Sequence, residues 1–136
     1  MHILVIDAQG GGLGKQLVLA LKKALPEAVV TAVGTNAAAT AAMRKAGADQ
    51  AATGENAVVV ACRRADVIAG PIGIVLADSM LGEITPAMAV AVGQSAATRV
   101  LLPVNRCRTL IAGSAGAATS ALLADAVEQI RRLAEP

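Results

Sequence analysis

The stretch Ile6–Leu17, IDAQGGGLGKQL, decides the fold: three consecutive glycines and a fourth two places on, set between the apolar run HILVI and a lysine. His2–Asp7 is short, apolar and β-branched, the composition of a buried strand. Beyond the glycines, Leu17, Leu21 and Leu25 recur at i, i+4 and i+8 with Lys22 and Lys23 between them, which is the apolar face of a helix beginning near Leu13. A helix start exposes unpaired amide N–H groups, and glycines remove the Cβ atoms that would keep an anion away from them. Gly10, Gly11, Gly12 and Gly14 are therefore expected to frame an anion site, with the Lys15 ammonium in reach of the same anion.

The alternation continues outward from this unit. Pro26 ends the first helix, AVVTAVG (Ala28–Gly34) reads as a second strand, and NAAATAAMRKAG (Asn36–Gly47) as a helix capped by Asn36 and stopped by Gly47. ADQAAT (Ala48–Thr53) is a third strand built on alanines, ENAVVVACRRA (Glu55–Ala65) a helix, and DVIAG (Asp66–Gly70) a fourth strand. Thr85 followed by Pro86 is a capping hydroxyl before a first-turn proline, so a helix runs on through AMAVAVGQSAA. RVLLPV (Arg99–Val104) is a fifth strand, TLIAG (Thr109–Gly113) reads as a further short one, and a closing helix aligns Leu122, Leu123, Ala126, Val127 and Ile130. Repeated strand–helix units predict an α/β, three-layer Rossmann-like domain over residues 1–136, with a mostly parallel sheet of about five strands and helices on both faces.

In such a sheet the ligand crevice lies outside the carboxyl ends of the strands, and small or polar residues follow nearly every strand here. Asp7, Gln9 and the glycines follow the first; Thr35 and Asn36 the second; Asn56 lies just beyond the third; Gly70, Pro71 and Gly73 close the fourth; Asn105 follows the fifth. Asp78, Ser79 and Glu83 then add polar groups before the helix at Pro86. The expected ligand is a nucleotide, a dinucleotide or another phosphorylated metabolite. Asp7 has a second reading, as the group that holds the glycine loop, and Asp78 and Ser79 as groups that satisfy local amides.

Three phosphate- or cofactor-loop patterns match in part. A dinucleotide loop wants G-x-G-x-x-G, but counting from Gly10 and Gly12 the third position falls on Lys15, and the second strand ends in Thr35 and Asn36 rather than an acidic residue for the ribose; Asn36 can bond a hydroxyl or tolerate a 2′-phosphate, so a dinucleotide is weakened and not excluded. GGGLGKQ is similar to the variant loop KGGxGKT of the ParA and MinD-like ATPases, with Gly10 in place of the first lysine and Gln16 in place of the magnesium-binding hydroxyl. IVLAD, ending at Asp78, has the form of a Walker B strand. DAQGGGLGKQLV resembles the D-x-H-x-x-G segment of corrinoid-binding domains, with Gln9 where the cobalt ligand would stand.

The 136 residues contain no Phe, Tyr or Trp and carry a net charge of +2, so there is neither a stacking platform nor a basic stripe for nucleic acid. Cys62 and Cys107 lack CxxC spacing and read as small buried hydrophobes; with His2 as the one histidine, no metal site is expected. No apolar window reaches the length of a membrane span, and a cytoplasmic, reduced protein is expected. The helix after Pro86 carries Met88, Val90 and Val92 and no charge until Arg99. An all-apolar helix must be buried, which points to a homo-oligomer, a dimer in the simplest case.

Two function classes compete. One is a module that binds a phosphorylated or nucleotide metabolite. The other is a small enzyme completed across a dimer, with Asp7, Asp78 or Glu83 as acid or base and Lys15 as electrostatic stabiliser. No nucleophile with a paired base is evident, which favours the first. An oligomeric scaffold with a vestigial pocket is a third reading.

The loop together with GTNAAATAAMRKAGAD (Gly34–Asp49), ATGENAVV (Ala52–Val59), GPIGIVLADSMLGEITPAMA (Gly70–Ala89) and LLPVN (Leu101–Asn105) resembles a family of short bacterial proteins catalogued as a domain of unknown function. The resemblance spans nearly the whole chain and implies a bacterial, self-contained domain. It implies no activity, substrate or catalytic residue.

Overall fold

The computed structural model describes residues 1–104 and 108–136. Five strands, β1 (His2–Asp7), β2 (Val29–Gly34), β3 (Gln50–Thr53), β4 (Val67–Pro71) and β5 (Thr98–Leu102), form one sheet in the order β3-β2-β1-β4-β5. Every pairing is parallel. Five helices, α1 (Gly12–Ala24), α2 (Ala37–Lys45), α3 (Glu55–Cys62), α4 (Pro86–Gln94) and α5 (Thr119–Leu133), connect or follow them.

The strand residues alternate between two cores. Ile3 and Val5 of β1 pack with Leu17, Leu21, Met43, Ala126 and Ile130 of α1, α2 and α5. Leu4 and Ile6 face Val58, Cys62, Met88 and Val92 of α3 and α4. The chain order reverses at β1, whose neighbours are β2 on one side and β4 on the other; the crevice of such a sheet opens at that switch point. A core without aromatic rings relies on close approach. A Cβ on Gly11 would stand 2.8 Å from the Ala39 Cα, and one on Gly70 2.5 Å from the Ile6 carbonyl oxygen.

One expectation needs correction. Residues 109–113 form no strand; Leu110 is 91% exposed, so the apolar side chains of the segment are not received by the sheet. Helix α4 buries only one side within the chain: Met88, Ala89 and Val92 are buried, while Val90 is 52% exposed and Gly93 and Gln94 face solvent, so apolar surface is left uncovered. Cys62 is buried and free, and burial pushes its thiol up to about 11. Asn105 and Cys107 lie outside the described residues. Among the described residues no helix is long and apolar enough to cross a membrane.

Candidate functional site

β1 ends in Asp7, and the next residues turn sharply. Gln9 (φ 52°) and Gly11 (φ 71°) both take left-handed backbone, and Gly11 is the N-cap of α1. Asp7 is almost fully buried, and its carboxylate accepts from the Ala8 amide at 2.8 Å and the Gly14 amide at 2.7 Å. It holds the loop from inside. Desolvation raises its pKa above the usual carboxylate value, against the two amides, and the nearby Glu83 charge adds to the rise.

Each glycine has its own duty. Gly11 sits against the α2 backbone at Ala39. Gly14 passes so close to β1 that a Cβ would stand 2.8 Å from the Asp7 Cβ and 2.5 Å from the Met43 sulfur. Gly10 and Gly12 face open space. Gln9 turns the chain in a left-handed conformation, Gly11 caps the helix, and Gly14 gives the close helix–strand packing, whereas Gly10 and Gly12 carry no such constraint. Lys15 follows Gly14 and is exposed.

Most loop amides are occupied. Ala8 and Gly14 donate to Asp7, Gly11 to the Ala8 carbonyl at 3.0 Å, and Gln9 to Glu83 Oε1 at 2.8 Å. The amides of Gly10, Gly12 and Leu13 have no partner among the described residues.

At the tip of β2, Thr35 and Asn36 are engaged by the same carboxylate. Glu83 Oε1 accepts from Thr35 Oγ1 at 2.6 Å and from Asn36 Nδ2 at 2.8 Å. Asn36 also donates to the Gln9 carbonyl at 3.0 Å and caps α2 through its Oδ1, which accepts from the Ala39 amide at 2.9 Å. The Thr35 hydroxyl, the Gln9 amide and the Asn36 amide hold Glu83 below the usual carboxylate range, in that order except that burial opposes them ahead of Asn36.

Glu83 is delivered by the segment between β4 and α4. Ser79 donates to the Gly73 carbonyl at 2.6 Å, the Asp78 amide donates to the Ile84 carbonyl at 2.7 Å, and the Ile84 amide to the Ser79 carbonyl at 3.3 Å. Asp78, Met80, Leu81 and Gly82 all have positive φ, strained for the three that carry a Cβ. Met80 and Ile84 are buried on either side of Glu83, so a compact, internally bonded loop presents the carboxylate. Ser79 is buried as a loop tie, whereas Asp78 is exposed. Gly70 and Pro71 belong to β4 itself, Gly73 to the short 3₁₀ turn Ile72–Val75, and Asn56 is exposed in the first turn of α3. Glu83 is the residue whose position sequence reasoning missed: its identity was visible, its place at the tip of β2 was not.

The family model described as Domain of unknown function (DUF3842) matches residues 2–135. The chain belongs to this family. No curated protein matches it. A solved structure described as a dodecameric FMN-dependent UbiX-like decarboxylase from Escherichia coli O157:H7 is similar at 15% identity, covering 98% of this chain and 93% of that one, with a TM-score of 0.47.

Proposed function

We propose that the chain is a small-ligand-binding protein that takes the phosphate groups of a nucleotide or related metabolite at the start of α1. One observation carries the reading: in a loop whose other amides are all engaged, those of Gly10, Gly12 and Leu13 are unpartnered among the described residues, and the two glycines have nothing over them. The helix dipole contributes only about 0.3–1 kcal/mol at such a position, so charge-assisted bonds from these amides and Lys15 supply the rest.

The test is calorimetric titration of ADP and of inorganic pyrophosphate into the wild-type chain, Lys15→Ala and Gly12→Val. A Cβ at Gly12 meets no atom within 4 Å, so a side chain has room to start there and the valine methyls would stand over the loop amides; circular dichroism of the variant checks that the fold is kept. Binding to the wild type that falls about tenfold or more in each variant supports the site. No binding, or binding indifferent to both variants, overturns it.

Independently of the phosphate site, we propose that the chain forms a homodimer across α3 and α4. Val59, Ala87, Val90 and Ala91 line a groove of about 560 Å³ between these helices, and the half-exposed Val90 is apolar surface that a second copy would cover.

A further inference from the structure

We propose that Glu83 is the ribose-binding acid of this site, supplied from the β4–α4 segment to the place at the tip of β2 where the chain has no acidic residue of its own, so that the protein selects a dinucleotide with an unmodified 2′-hydroxyl. This deepens the phosphate-binding reading above and rests on it.

In doubly wound sheets a carboxylate just beyond β2 accepts hydrogen bonds from the ribose hydroxyls of a dinucleotide whose phosphates lie on the glycine loop. Here β2 ends at Gly34 and continues into Thr35 and Asn36, neither of which is acidic. The structure nevertheless brings a carboxylate to that place. Glu83 Oε1 is held by Thr35 Oγ1 (2.6 Å), Asn36 Nδ2 (2.8 Å) and the Gln9 amide (2.8 Å). These donors come from the tip of β2 and from the glycine loop, so the carboxylate bridges the two halves of a dinucleotide site. Gly10, whose amide is open, directly follows Gln9; phosphate and ribose are likewise neighbours in a nucleotide.

The three donors are all spent on Oε1. No described residue bonds Oε2, which keeps its lone pairs for the two hydroxyls of a ribose. The bonds to Oε1 also keep the group ionised, an acceptor with no proton to donate. Anchoring of Met80 and Ile84 in the core fixes the carboxylate before the ligand arrives, which lowers the ordering cost of binding. A 2′-phosphate placed there would meet a negative charge with no lysine or arginine among the partners of Glu83, a repulsive contact that discriminates against it.

The experiment titrates NAD⁺, NADP⁺ and inorganic pyrophosphate into the full chain by calorimetry at neutral pH, then repeats the series with Glu83→Gln. The expected result is NAD⁺ binding at least about tenfold tighter than NADP⁺. In Glu83→Gln, NAD⁺ weakens by about tenfold, the gap between the dinucleotides closes, and pyrophosphate binds as before. A purely structural role for Glu83 would change pyrophosphate and both dinucleotides together, and that outcome overturns the proposal. So does NADP⁺ binding as tightly as NAD⁺ to the unaltered chain, a comparison that needs no variant and remains decisive should Glu83→Gln fail to fold. Pyrophosphate binding without either dinucleotide overturns the role of Glu83 and leaves the phosphate site standing. Failure of all three ligands overturns both.

Discussion

Gly14 donates its amide to the Asp7 carboxylate at 2.7 Å while its own Cα passes so near that strand that a methyl group would stand 2.8 Å from the Asp7 Cβ. One residue thus meets two demands: a donor for a buried carboxylate and the absence of a side chain. Gly14→Ala should lose about 1–3 kcal/mol despite alanine's better helix propensity, because overpacking against the strand outweighs it. Urea unfolding measures the difference, and a neutral or stabilised variant would show that Met43 and the loop yield freely.

Asp7 gives a pH signature of unusual sign for a carboxylate. Its pKa is raised in the folded chain from an ordinary 3.8, so the folded state holds its proton more tightly than the unfolded state. Its stabilising contribution is complete below about pH 3.8 and is lost as pH rises through the higher folded value. The stability of wild type minus that of Asp7→Asn should therefore fall as pH increases over that interval. Unfolding curves at several pH values read it, and a rising difference would contradict the burial of Asp7.

Glu83 behaves in the opposite way. Its folded pKa lies below the ordinary 4.5, so its contribution is present above that pH and disappears as pH falls through the lowered folded value. Wild type should exceed Glu83→Gln in stability at neutral pH and converge with it in acid. Glu83→Ala, which leaves the Thr35, Asn36 and Gln9 donors to water, should lose about 1–3 kcal/mol at neutral pH.

Thr85 caps α4 by accepting from the Met88 amide at 3.2 Å and donates to Glu55 Oε1 at 2.6 Å. Thr85→Ala should cost about 1 kcal/mol, and Thr85→Ser should recover most of it. Equal stability of all three chains would deny the cap.

Val90→Glu places a charge on the exposed side of α4, where Val90 is 52% exposed. If the chain dimerises across α3 and α4 as proposed, light scattering should show a dimer for the wild type and a monomer for Val90→Glu, with unchanged thermal stability per chain. A wild type that is already monomeric at micromolar concentration removes the dimer reading.

The order of elements was legible because each strand is bounded by its own turn chemistry: Pro26 after α1, the Asn36 cap of α2, and Thr85–Pro86 at α4. Even β3 could be found from the alternation, although its apolar residues are only Ala51 and Ala52. TLIAG misled because apolar composition says nothing about whether a neighbouring strand or helix surface exists to receive it. The glycine loop was legible as a turn but not glycine by glycine, since three adjacent glycines are equivalent as letters and become distinct only through what lies above each: Ala39 over Gly11, open space beside Gly10 and Gly12. Glu83 was beyond reach for a topological reason. It meets Thr35 across 48 residues of chain and Gln9 across 74, and no local pattern encodes such a meeting.

The ring-free interior has a spectroscopic corollary. With no tryptophan, tyrosine or phenylalanine in the chain, the polypeptide is nearly dark in the near-ultraviolet, the region where nucleobases, nicotinamides and flavins absorb. Any such chromophore that travels with the purified protein would declare itself in a plain absorbance scan, with almost no polypeptide signal to subtract.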